Sequence, residues 1–528
     1  MTSNYDVVVV GAGHNSLTAA AYLAAAGMRV LVLERNEWAG GGVFTREVTA
    51  PGFKHDIHST GHMLIQANPL IAKDELGLKS RFGLVYKYPA ITEATVFDDG
   101  TRILTYFDLD KTCESLAKIS ARDADAYRLH VQKTRQMLPM FVTGLFAPPA
   151  PLGGFLSMLE QSRQGRDLIG IMNMSAYDII NRMFESDKIK IHFMKYSSGA
   201  MSAPEEKGTG LIFYMLVGFV HAYHGGFPLG GSGALTDALV RCIVHYGGQV
   251  RTQTDVVRVV VKGGRAVSVQ TSGGEEFAAT KVVIASIHPH LLDQYIAGID
   301  ADIIADAKKT QPGGYSSMNT HYALHAAPFY PALQGVEPPM MVECLLGDME
   351  NFRRDYDELR YGRLPSRAGL TCATHTNHDS SRAPPGKATL YLYHFMPYEL
   401  AEGGAKRWDD IKNEVADWML KAYRKFATNM GDGNIIARYV DSPLDYERTS
   451  ASFQRGDVSG IGRYLYQFLG RRPTPELSQY AVPGIGGLYL SGPFMHPGGG
   501  VIGGGRATAV KIMADLGLDF DKTVAQQR

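Results

Sequence analysis

Residues 6–10, Asp-Val-Val-Val-Val, run into Gly11-Ala12-Gly13-His14-Asn15-Ser16 and then into an alanine-rich stretch that ends at Gly27. No other feature restricts the fold so tightly. A short continuous apolar run reads as a strand buried on both faces. Leu17 to Ala26 reads as a helix, and Arg29-Val30-Leu31-Val32-Leu33 as a second buried strand closing on Glu34. Strand, helix and strand in this order form a βαβ unit, because parallel strands need a crossover. Gly11 allows the tight turn, and Gly13 lets a pyrophosphate approach the backbone. The helix N-terminus then offers free N–H groups and the positive end of its dipole. Glu34, about twenty positions past the glycines, can accept hydrogen bonds from both hydroxyls of an adenosine ribose. Ser16 stands where the fingerprint has its third glycine. That glycine allows close helix–strand packing, and serine is small enough to serve. Gly11, Ala12, Gly13, Asn15, Ser16 and Glu34 are therefore candidate contacts to a dinucleotide.

The residues after Glu34 narrow the choice. Arg35 follows at once, and Gly40-Gly41-Gly42 soon after, which resembles the E-R-x-x-x-x-G-G extension of FAD-binding oxidoreductases. Nicotinamide enzymes lack this second glycine turn, and a negative Glu34 disfavours a 2′-phosphate. Arg35, Gly41 and Gly42 join the expected cofactor contacts.

Glycine is in excess, 58 of 528 residues, and is clustered at 11–13, 40–42, 225–233 and 484–505. Clustered glycine signals turns with positive φ or close backbone approach. The third cluster enters an amphipathic helix. Val250–Val261, Arg265–Thr271 and Lys281–Ile287 follow it and read as a β-meander, with Gly263-Gly264 and Gly273-Gly274 in the turns. The last cluster follows the apolar run Leu488-Tyr489-Leu490 and passes through His496-Pro497-Gly498-Gly499-Gly500-Val501 into a helix over Thr508–Leu516.

Taken in order, these segments make the chain resemble the phytoene desaturase-related FAD oxidoreductases within the flavin amine oxidase fold. It is similar above all to relatives that contain a pyridine nucleotide-disulfide oxidoreductase domain. The matching stretches are Gly11–Ser16, Glu34–Gly41, Pro51-Gly52-Phe53 to Asp56, Pro228-Leu229-Gly230-Gly231, Ser442-Pro443-Leu444-Asp445 and His496–Gly500. Departures are Ser16, the Gly504-Gly505 pair, and Gly42 in place of the arginine of many relatives. The resemblance implies an α/β protein with a discontinuous Rossmann-like FAD-binding domain over 1–75, 225–300 and 470–528. A mixed α+β substrate domain, over 76–224 and 301–469, would be inserted in it, largely helical in its first part. It also implies that the Val256 backbone holds the adenine, and that Gly492, Gly500 and Val501 lie along the isoalloxazine. FAD is expected to be held non-covalently.

A flavin accepts hydride at N5 and needs no protein base. The histidines the resemblance places near the ring, His58 and His496, with His224 before Gly225, are nevertheless the catalytic candidates. His55 reads as structural. The spacing of His58 and His62 would suit a metal only on a helix, and no metal is expected. Fifty-three basic residues balance 53 acidic ones, which argues against a nucleic-acid footprint. Four dispersed cysteines without a C-x-x-C pair exclude a zinc ribbon, a disulfide scaffold or a dithiol relay. With no second dinucleotide fingerprint, NAD(P)H is not expected as an obligatory partner, leaving oxygen or a quinone as electron acceptor.

No secretory signal and no apolar run of spanning length are visible, so a soluble, cytoplasmic protein is expected. Residues 137–224 are rich in Met and Phe and suggest a lipophilic pocket. Leu138–Leu159 is also a candidate for peripheral membrane contact, which its lack of Lys and Arg weakens. The expected activity is FAD-dependent dehydrogenation, desaturation or oxidation of a hydrophobic small molecule, such as an isoprenoid, carotenoid-like or alicyclic compound. A redox-neutral isomerase or hydratase and a non-catalytic flavoprotein are the alternatives.

Overall fold

A computed structural model describes residues 4–527. Two sheets organise them. The first is a parallel layer in the order Leu488–Leu490, Glu276–Ala285, Tyr5–Val10, Val30–Leu33, Gln249–Arg251. Its inner strands are valine- and leucine-rich, as double-sided burial requires. Helix His14–Ala25 packs between Gly233–His245 and Gly505–Asp515, and the alanines of the first let all three approach closely.

The expected meander is divided between two structures. Val250–Val261 does not form one strand. Gln249–Arg251 pairs in parallel with Val30–Leu33, the chain bends at 252–255, and Val256–Lys262 starts the antiparallel ladder with Arg265–Thr271. Glu276–Ala285 then ends that ladder with its first residues and enters the parallel layer with its last. Thr254 explains the bend, because its N–H donates to the Glu34 carbonyl at 2.8 Å and ties the turn to the nucleotide end.

The second sheet runs Ile435–Asp441, Ser316–Leu324, Ala388–Met396, Leu370–Ala373, Met341–Leu345, Ile91–Phe97, Arg102–Tyr106. All neighbours are antiparallel except Met341–Leu345 against Ile91–Phe97. Alternation sorts its side chains. Met318, Tyr322, Leu390, Leu392, Cys344 and Cys372 face one core, which includes Trp408, Met419 and Tyr423 of helix Trp408–Tyr423. Ser317, Tyr391, Tyr393, Thr371 and Glu343 face the opposite side and line a cavity.

Seven helices fill 109–222 and bury most of the Met- and Phe-rich stretch against one another. Of its methionines only Met201 reaches the cavity wall. The lipophilic pocket expected from this stretch is therefore largely helix core, since side chains at helical spacing meet neighbouring helices first. Among the described residues no helix is long and apolar enough to cross a membrane.

Candidate functional site

One cavity of about 460 Å³ runs from the first sheet's glycine turns to the second sheet's wall. Its first end is built from backbone. Gly11 leaves the strand with φ +86°, a conformation that a side chain disfavours. Gly13 precedes the helix with no side-chain cap, and nothing lies within 4 Å of where its Cβ would be. The Asn15 Oδ1 and Ser16 Oγ atoms are buried there without a hydrogen-bond partner. An open glycine, an uncapped helix N-terminus and the unpartnered Ser16 hydroxyl together fit the pyrophosphate of a dinucleotide.

Glu34 ends its strand with the carboxylate already fixed. Its oxygens accept the Ala12 N–H at 2.8 Å and the Asn36 N–H at 3.0 Å. Ala12 thus acts through Glu34 and does not itself line the cavity, whereas Arg35 and Val256 do. A Cβ on Gly41 would sit 3.0 Å from the Gly13 Cα, so the two glycine turns lie back to back. A Cβ on Gly42 would come within 2.6 Å of the Phe453 ring, which occupies the space a longer side chain would need. The tightest approach of the first helix is to Gly505, where a Cβ would overlap the Asn15 carbonyl oxygen. Ser16 does not make that contact.

The C-terminal glycine turn forms the adjoining wall through Gly492, Gly499, Gly500 and Val501. Asn68 Nδ2 donates to the Ile502 and Gly503 carbonyls, at 2.8 and 3.1 Å, and fixes the turn. Arg463 donates to the Gly499 carbonyl at 2.6 Å, while its Nε remains without a partner at the cavity edge.

The histidines separate. His58 lines the cavity, its ring edge-on to Tyr446 at 4.6 Å and near Phe453 at 5.4 Å. Neither ring nitrogen has a partner, and burial pushes its pKa down to about 3. It is therefore a neutral imidazole at physiological pH. The structure does not bring His224 or His496 to this cavity. His224 stacks on Phe107 and bonds the Pro89 carbonyl at 2.9 Å, and His496 bonds the Gly144 carbonyl at 2.8 Å. Both rings are held by backbone carbonyls far away in the chain, which sequence order could not show. His55, in the short strand His55–Asp56, is tied to Thr49, and His62 to Tyr86 and Ser232, with no helix at 58–62.

The far end contains side chains that motif reading missed. Glu93, Glu343 and Lys195 lie in the wall beside Tyr391, Tyr393 and Phe395. Lys195 Nζ is 3.8 Å from Glu343 Oε2 and 4.0 Å from the Phe395 ring centre. Burial lowers the pKa of Lys195 and raises that of both acids, Glu343 to about 7. The signal was present in sequence: Glu93 and Glu343 each interrupt an apolar strand, and a charge within such a strand faces something other than core.

Comparison with known proteins agrees with this geometry. The sequence family described as flavin containing amine oxidoreductase matches residues 17–297. A limonene dehydrogenase polypeptide of Castellaniella defragrans is 27% identical, over 98% of this chain and 95% of its own. The rat pyridine nucleotide-disulfide oxidoreductase domain-containing protein 2 is also 27% identical, over 97% and 94%. The crystal structure of an oxidoreductase from Methanosarcina mazei superposes with a TM-score of 0.60 at 16% identity, covering 98% of this chain and all of that one.

Proposed function

The chain belongs to the flavin containing amine oxidoreductase family, an FAD-dependent oxidoreductase on the flavin amine oxidase fold, and from that premise we propose that it dehydrogenates or oxidises a hydrophobic, uncharged small molecule. The single observation that carries the reading is the continuity of the cavity, which joins the dinucleotide cradle to an aromatic wall. One relative is named as part of a limonene dehydrogenase, which supports an apolar, alicyclic or isoprenoid substrate class.

In this reading Glu34 accepts the ribose hydroxyls, and Gly13, Asn15 and Ser16 receive the pyrophosphate at the helix N-terminus. Arg35, Gly41 and Gly42 border the same path, and the Val256 backbone meets the adenine. Gly492, Gly500 and Val501 line the cavity and would flank the ring system. No cysteine lines the cavity among the described residues, which supports a non-covalent cofactor. When bound, FAD would supply a two-electron acceptor for hydride from a substrate C–H bond, with dioxygen or a quinone as the terminal acceptor. The protein's part is positioning. Tyr391, Tyr393, Phe395 and Met201 present apolar surface, and Tyr446 and Phe453 pack edge-on against His58. Neutral His58, with neither ring nitrogen partnered, can hydrogen-bond the substrate beside the reacting carbon; its lowered pKa makes it a positioning group and a poor proton acceptor.

Purified protein should be yellow and release FAD into the supernatant on denaturation. Anaerobic addition of monoterpenes or carotenoid precursors should identify one that bleaches the visible flavin band, which dioxygen or a soluble quinone then restores. Colourless protein that takes up no FAD overturns the reading. Product formed without any flavin reduction assigns the chain to redox-neutral isomerisation instead.

A further inference from the structure

The ionisable groups at the far end are unequally satisfied. Lys195, Glu343 and Glu93 are each more than nine-tenths buried. Lys195 Nζ donates to the Gly369 carbonyl at 3.1 Å and faces Glu343 and the Phe395 ring. The Glu343 oxygens accept the Thr371 hydroxyl, at 2.8 and 2.9 Å. One cation and one anion are thus matched. Glu93 has no such match: it lines the cavity, and its Oε1 is buried against His192 with no hydrogen-bond partner. Its ionisable neighbour His192, 3.7 Å away, spends Nδ1 on the Thr95 hydroxyl at 2.7 Å and is kept neutral by burial. A buried, unpartnered carboxyl is costly, and a ligand that pairs it removes the cost.

We propose that Glu93, beside the Lys195–Glu343 pair, anchors the oxygen-bearing end, hydroxyl or carbonyl, of an uncharged and otherwise apolar substrate. This rests on the cavity being the substrate site of an FAD oxidoreductase. The chemistry follows from the surroundings. Lys195 and Glu343 already cancel, so a cationic head would have to lie near Lys195 and an anionic head near two carboxyls. Burial and the neighbouring Glu343 charge favour a protonated Glu93, which offers one O–H donor and one C=O acceptor. A hydroxyl satisfies both, a carbonyl takes the donor, and a hydrocarbon satisfies neither. The aromatic wall of Tyr391, Tyr393 and Phe395 accepts the apolar body.

The test uses flavin-loaded protein and three probes of one skeleton: methylcyclohexane, cyclohexylmethanol and cyclohexylmethylamine. Binding is read from perturbation of the flavin spectrum. The alcohol should bind about tenfold or more tightly than the hydrocarbon, the scale of one buried polar group left unpaired. Glu93→Gln, which keeps a neutral donor and acceptor, should hold that preference within about threefold. Glu93→Leu should erase it while leaving hydrocarbon binding intact, with thermal melting confirming the fold of both variants. Equal affinity for alcohol and hydrocarbon, preference for the amine, a preference that survives Glu93→Leu, or no binding of the alcohol overturns the proposal. FAD content and dithionite reduction are measured on the same samples. Protein without FAD defeats the functional reading, whereas reducible holoprotein indifferent to the probe's oxygen defeats only the Glu93 anchor.

Discussion

The two ends of the cavity are made by different means. The dinucleotide end uses local chain: Gly11 to Ser16, Glu34 and Gly40 to Gly42 lie within about thirty residues, and they offer a helix end, glycine turns and the Glu34 carboxylate. The far end is assembled from Ile91–Phe97, Met341–Leu345, Leu370–Ala373, Ala388–Met396 and helix Asp187–Ser198, and it offers side chains only. The first end is inflexible in sequence because Gly11, Gly40 and Gly41 have positive φ, a Cβ on Gly42 would meet Phe453, and the open space at Gly13 is what the ligand needs. The second is adjustable, because a sheet face accepts exchange of side chains without moving the backbone. An enzyme family that keeps one cofactor and changes substrates needs that division.

Four experiments test this contrast. The largest effect is expected from Gly505→Leu, where even a Cβ would overlap the Asn15 carbonyl and lie 2.8 Å from the Ala19 nitrogen. Forcing those helices apart should cost about 3 kcal/mol or more and abolish FAD retention, as read by urea unfolding and flavin content. Normal stability would show that the helix contact is not rigid.

Lys195→Met comes next. Leaving Glu343 unpaired in the interior should cost about 3 kcal/mol, while Lys195→Met/Glu343→Leu together should cost less than the two single changes added. FAD content should stay normal, because this end does not hold the cofactor. Strict additivity in the unfolding cycle would remove the pair from the account.

Glu34→Ala should leave the far end untouched and weaken FAD binding by about tenfold or more. A charge-assisted hydrogen bond contributes about 1.5–3 kcal/mol, and about 1.4 kcal/mol is a factor of ten. Equilibrium titration of apoprotein with FAD checks this, and an unchanged Kd places the ribose contact elsewhere.

The smallest effect concerns pH. His58 has its native pKa lowered to about 3 by burial, and the ordinary imidazole value is 6.5. A depressed native value means stability that is complete above about 6.5 and is lost as pH falls towards 3, because the unfolded chain takes up the proton first. His62, His192 and His394 behave alike. Unfolding free energy should therefore drop between pH 7.5 and 5.5, and His58→Gln should reduce that drop by about 1 kcal/mol. An unchanged slope would mean that His58 is protonated or hydrated in the native state.

The chain's own order of residues determined the nucleotide end. Asp6 to Glu34 specifies strand, turn, helix and strand with neighbours in sequence, and glycine at a turn states its requirement locally. The same local logic placed the turns at Gly263-Gly264 and Gly273-Gly274. It did not place Val250–Val261, because apolar alternation looks the same whether a strand joins a parallel layer or a hairpin. Nor did it separate His58, in the cavity, from His224 and His496, whose partners lie 135 and 352 residues away in the chain. Only tertiary structure decided that Lys195 meets Glu343 across 148 residues, and that the aromatic wall comes from Tyr391, Tyr393 and Phe395 instead of the Met-rich helices. A turn or a helix start depends on φ, ψ and nearest neighbours, which sequence carries directly. A cavity wall depends on which strands become adjacent, and that is settled by long-range pairing and by which face of the sheet the helices cover.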